Sequence, residues 1–153
     1  SVDGYAMVLD LKKINQIETF KHNNYFDENF FMYLENDDLC KRLIVNDQNI
    51  FIIPKSKIKH LGAKAVDPEY SHEVELSRNW HWIWSKFYYN KKHYGFLFSL
   101  VSGLPSFLSA NLKFLLYSFL NKNKKKQIYL QRILGFTNAV LGKSSSYRPK
   151  INS

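Results

Sequence analysis

Residues 25–42 read Tyr-Phe-Asp-Glu-Asn-Phe-Phe-Met-Tyr-Leu-Glu-Asn-Asp-Asp-Leu-Cys-Lys-Arg, an aromatic run leading into three carboxylates, Glu35, Asp37 and Asp38, within four residues. Leu39, Cys40, Leu43 and Ile44 then recur at helical spacing, which predicts a helix running to about Val45. The acids fall at its mouth, where the helix dipole favours negative charge. One reading is a capped helix start. The other is a catalytic acidic edge.

Upstream, residues 5–9 form a short apolar run with strand character, and Asp10 is placed to cap a helical turn over Leu11–Ile14. Residues 19–24 are polar and end in an Asn pair that suggests a turn. Downstream, residues 50–53 (Ile-Phe-Ile-Ile) read as a short buried strand stopped by Pro54. Residues 55–59 alternate Lys with Ser or Ile, as a strand with one wet face does, and His60 and Gly62 close that stretch.

Asp67-Pro68-Glu69 opens a second helix with a cap residue, a proline at the first helical position and an acid. Leu76, Trp80, Ile83, Trp84, Phe87 and Tyr88 then share one face as far as about Lys92. On this pattern Trp80 is packing and His81 faces water. Residues 94–112 carry no charge, a length that borders on a membrane span, but Gly103 and Pro105 interrupt them. Two amphipathic helices meeting there are expected, followed by a lysine cluster at 122–126, a third amphipathic segment over 128–141 and a polar tail.

Charge divides the chain. Residues 1–77 hold 9 Lys/Arg against 13 Asp/Glu, whereas residues 78–153 hold 13 Lys/Arg and no acid. Such asymmetry calls for an anionic partner. Apolar stripes beside clustered lysines describe helices lying on an anionic bilayer surface. Nucleic acid fits less well, because the aromatics sit on the apolar stripes and not among the basic residues. The 153 residues suit one domain or part of a larger one, and no charged-then-apolar leader opens them. Cys40, the single cysteine, has no internal disulfide partner and reads as a small buried residue.

Taken in order, Gly4-Tyr-Ala-Met-Val, Phe26-Asp-Glu-Asn-Phe-Phe, Glu35-Asn-Asp-Asp-Leu, Ile52-Ile-Pro and Ile58-Lys-His resemble the C-terminal half of family 2 glycosyltransferases. Arg148-Pro-Lys resembles the tail of related bacterial enzymes of surface-polysaccharide synthesis. The resemblance implies an α/β fold: an incomplete GT-A sheet over residues 1–66, followed by amphipathic, membrane-associated helices over 67–153. It implies inverting transfer of a sugar from a nucleotide-diphosphate donor to a lipid-linked or surface-glycan acceptor, at the cytoplasmic face of the bacterial inner membrane.

By the same likeness Asp37, Glu35 and Asp38 are the catalytic carboxylates, and Tyr33 and Phe31 line the acceptor pocket. His60 is a ligand to a divalent cation, Mg or Mn. The chemistry agrees, since the acceptor hydroxyl needs a base and the departing diphosphate needs positive charge. Two departures stand out. Asn36 occupies the position of the family's usual base, and the family's nucleotide-binding half with its Asp-x-Asp motif has no counterpart in these residues. Alone, the chain is therefore expected to bind donor weakly and to be inactive. The alternative is a non-catalytic peripheral membrane protein whose acidic half binds a partner.

Overall fold

Residues 6–59 and 67–150 are described in the computed structural model, and every regular element among them is helical. In chain order these are α1 (Leu11–Ile14), a 3-10 turn (Glu18–Asn23), α2 (Glu35–Val45), a second 3-10 turn (Pro68–Tyr70), α3 (Ser71–Tyr94), α4 (Phe96–Phe119) and α5 (Asn123–Val140). The chain divides into two units, residues 1–28 with 34–64, and residues 29–33 with 65–153.

The α/β expectation is overturned, because no strand occurs among the described residues. Residues 50–53 run without regular structure, and Phe51 and Ile52 are 79% and 78% exposed. Val8 stands open in the same way. A β-branched run supplies the side chains of a strand, but only a neighbouring strand supplies partners for its backbone, and the described residues contain none. Residues 55–59 fail as a strand for the same reason.

In the first unit, Ile14, Phe20, Leu39 and Leu43 form a small core with Met7, Leu9, Ile17 and Tyr25 against it. Asp10 caps α1 as expected, its carboxylate accepting from the Lys13 amide at 3.2 Å. The helix of the acidic stretch also forms. It ends in a turn where Asp47 adopts positive φ and the Gln48 amide donates to the Leu43 carbonyl at 3.0 Å. Cys40 is buried on its inner face.

The second unit packs α3, α4 and α5 against one another. Trp80, Trp84, Phe87, Phe136 and Ala139 are its core. Trp80 stacks on Trp84 at 6.4 Å between centroids and Trp84 on Tyr88 at 5.0 Å, a ladder generated by the i, i+4 spacing. Asp67 accepts from the Glu69 amide at 3.0 Å and leads the chain through its 3-10 turn into α3. Gly95, at φ +89°, is the single residue between α3 and α4, a reversal that a side chain would strain.

Expectation and structure part at Pro105, for α4 runs unbroken through it. A proline inside a helix costs roughly 3 kcal/mol. Packing on both sides of it offsets that cost: Ser99, fully buried, donates to the Phe87 carbonyl at 2.7 Å, and Phe107 stacks on Phe136 at 4.8 Å. α5 begins five residues earlier than its apolar pattern indicates, because the lysines at 124–126 are good helix formers.

Two glycines set the spacing of these helices. A Cβ on Gly103 would lie 2.4 Å from the Phe136 ring, and one on Gly135 would lie 2.5 Å from the Trp80 carbonyl oxygen. The first obstacle can turn aside, whereas the second is backbone. Gly135→Ala is therefore expected to destabilise the protein by about 1–3 kcal/mol, the usual cost of overpacking, and Gly103→Ala by less. Urea denaturation of the two variants checks the order.

Candidate functional site

The acidic opening of α2 is built on unusual backbone. Tyr33 and Leu34 are both left-handed, at φ 71° and 67°, although neither is glycine. Each such residue costs on the order of 1–2 kcal/mol. Strain of this kind gathers where a chain must hold side chains in one orientation for a task. Leu34, and not one of the acids, is the cap residue, and it makes no side-chain capping bond. The first helical bond runs from the Asp38 amide to the Leu34 carbonyl at 2.8 Å. All three acids lie in the first turn, where the helix dipole favours them, but none of them is the cap.

The three acids have different surroundings. Asp38 is wholly buried, and its Oδ2 accepts from Arg42 Nε at 2.9 Å, one helical turn on. The same guanidinium donates to the backbone carbonyls of Asn24 and Tyr25 and lies 4.7 Å over the Phe20 ring. Arg42 thus ties the helix mouth to the segment that precedes it, and removing either partner strands a buried charge. Glu35, the first helical residue, keeps Oε2 buried without a hydrogen-bond partner. A buried carboxylate oxygen left unpaired costs about 1–3 kcal/mol or more. Asp37 is half-buried at the same mouth.

Among the described residues no three His, Cys, Asp or Glu side chains converge as a metal site would require. With Asp38 committed to Arg42, the acids at hand do not complete a ligand set for the divalent cation that the resemblance implies. His60, the expected ligand, lies outside the described residues.

Phe31 and Tyr33 belong to the second unit, and α3 engages both. Phe31 packs on the His81 ring at 4.8 Å, with the Arg148 guanidinium 3.5 Å from its centroid. Tyr33 meets Trp82 edge-on at 5.5 Å. Phe31 and Trp82 are each about half exposed, so aromatic surface of the kind on which a sugar ring packs remains open here. Nearby, Phe30 is buried edge-on against Tyr88, and Ser85 donates to the Met32 carbonyl at 2.7 Å.

His81 reverses the expectation made for it. It is fully buried, with Nδ1 2.9 Å from the Ser145 hydroxyl and Nε2 2.9 Å from the Tyr147 carbonyl. A carbonyl only accepts, so Nε2 carries the hydrogen; the Ser145 hydroxyl, which can donate or accept, serves Nδ1 in the neutral ring by donating to it. Burial lowers its pKa, with the Arg148 charge acting in the same direction against the Tyr147 carbonyl. The tail after α5 folds back over α3: Trp84 Nε1 donates to the Lys143 carbonyl at 2.9 Å, and Tyr147 stacks on Trp80 at 5.9 Å. The signal for this was a tyrosine and an arginine in a segment otherwise polar and short.

Comparison with known protein families, curated proteins and solved structures gives no match to this chain.

Two predictions follow from these contacts. Asp38→Asn is expected to cost about 3–5 kcal/mol, since it leaves Arg42 uncompensated in a buried position, and equilibrium unfolding measures it. The second concerns pH. His81 titrates lower in the folded protein than its unfolded value of 6.5, so its contribution is complete above that pH and is lost as the pH falls below it. Burial, with Glu73 adding to it, raises the Tyr147 phenol above 10.0, so that contribution is complete below pH 10 and is lost above it. Urea midpoints against pH should fall on both sides, and the acid limb should flatten in His81→Gln.

Proposed function

We propose that this chain is part of a glycosyltransferase and supplies the base that deprotonates the acceptor. The sugar passes from a nucleotide-diphosphate donor to a lipid-linked or surface-glycan acceptor. The observation that carries this reading is the α2 mouth, where two left-handed residues precede a Glu35 carboxylate whose buried oxygen has no partner. The order of sequence motifs around it supports the same assignment. The reading rests on this site and on those motifs, and does not call on a sheet.

Inverting transfer is a single displacement. A carboxylate takes the proton of the acceptor hydroxyl, whose oxygen attacks the anomeric carbon as the bond to the diphosphate breaks and the diphosphate leaves with the electron pair. Glu35 is the proton acceptor in this assignment, and Asp37 at the same mouth stands next to it in suitability. Asp38 has a positioning role through Arg42. Asn36, at the family's usual base position, cannot accept a proton in this way. Within the second unit, Phe31, Tyr33 and Trp82 offer aromatic surface of the kind on which sugar rings pack.

The test is transfer by the full-length protein from a panel of nucleotide-diphosphate sugars, read by mass spectrometry of the acceptor. Removing a general base typically costs about 10²–10⁴-fold. A loss of that size is expected in Glu35→Gln, with a smaller one in Asp37→Asn. Wild-type turnover in both variants removes the acidic mouth from the mechanism.

A further inference from the structure

One face of α4 is left exposed among the described residues. Leu97, Val101, Leu108, Leu112, Leu115 and Phe119 fall within one narrow arc at helical spacing, and all six are exposed, Leu97 by 73%, Leu112 by 69% and Phe119 by 85%. The opposite side of the same helix is spent on the bundle, through Ser99, Gly103, Phe107 and Ala110. A continuous apolar stripe of this length exceeds what a free surface usually shows.

Charge identifies what covers it. Lys91 and Lys92 precede the stripe, and Lys122, Lys124, Lys125 and Lys126 follow it, with no acid anywhere from residue 78 onward. The second group surrounds the N-terminus of α5, where the helix dipole is already positive, so these lysines repel both the dipole and one another. Lys125 and Lys126 lie over the rings of Tyr117 and Phe114, which keeps two of the cations beside the end of α4. A layer of anions at both ends of an apolar strip satisfies every one of these features.

We infer that the exposed face of α4 is a docking surface for an anionic lipid bilayer, with the helix lying in the plane of the interface. The six apolar side chains enter the acyl boundary, and the lysines at either end meet the lipid phosphates. α4 is, by length and composition, able to cross a membrane, and it is the one helix among the described residues that is. Its packing argues for the flat orientation. Crossing would draw the helices on its other side, with Lys86 on α3 and Arg132 on α5, into hydrocarbon, where such charges are costly. The inference is independent of the sugar-transfer reading, and the two succeed or fail separately.

The experiment is co-sedimentation of the full chain with vesicles of phosphatidylcholine, pure or mixed with phosphatidylglycerol, at low and high salt. Binding to the mixed vesicles alone, weakened by salt, is expected. Replacing Lys124, Lys125 and Lys126 together by Gln should lower partitioning roughly 100-fold, at about fivefold for each lysine. The double variant Leu108→Asp/Leu112→Asp changes exposed positions, so its circular dichroism should be unaltered while vesicle binding is lost. Equal binding by that variant, or no sedimentation with anionic vesicles at low salt, overturns the inference. So does a lipid-free oligomer that Leu112→Asp dissociates, or salt-sensitive RNA retention without vesicle binding. Resistance to carbonate extraction would replace the flat orientation with a span and overturn it too.

Discussion

The second unit depends on a point where two backbones meet. Gly135 brings α5 so close to α3 that the Trp80 carbonyl occupies the place of a β-carbon. At that spacing Trp80, Trp84, Phe136 and Ala139 fill one another's gaps, and the bundle's apolar content is used along the α3–α5 seam. α4 joins them by a strip of small residues together with Leu100, Phe107 and the edge of Phe96 against Phe87. Most of its larger aliphatic side chains are left over. The open face of α4 is thus a consequence of how tightly the other two helices fit.

In the first unit the corresponding constraint is the Arg42 side chain. It neutralises a carboxylate that would otherwise be intolerable in the interior, and it fixes two backbone carbonyls from the preceding segment. The neighbouring acids are used differently. One acid spends its charge on architecture, and the mouth it holds leaves Glu35 with an oxygen that owes nothing to the fold. In the transfer proposed above, that oxygen takes the proton of the acceptor hydroxyl.

Much of this was legible in the sequence, and the failures have physical causes. The Asp10 cap, the α3 face with Trp80 and Trp84, the burial of Cys40 and the helix after the acids all follow from local rules of spacing and capping. The sheet does not follow, because a strand is a property of two segments, and residues 50–53 carry the pattern of one without a partner beside it. Pro105 reads as a break by its local cost, which distant contacts on both flanks outweigh. A stripe drawn on α3 alone places His81 in water, whereas its partners lie 64 and 66 residues further on. The acids were found as a group, and the i, i+4 spacing of Asp38 and Arg42 already contained the pairing that separates one from the others. What no pattern contained was the left-handed pair Tyr33 and Leu34, since nothing in either side chain asks for that conformation.

The fastening of residues 143–148 onto α3 has a kinetic side. Trp80 emerges from the ribosome long before Tyr147, the ring that covers it, and the imidazole between them cannot complete its bonds until Ser145 is also present. Closing such a distant contact pays its loop entropy late. While the chain is being made, the indoles therefore wait uncovered. Nascent molecules carry a transient greasy surface that the finished protein hides, and the interval lasts as long as translation of the intervening helices.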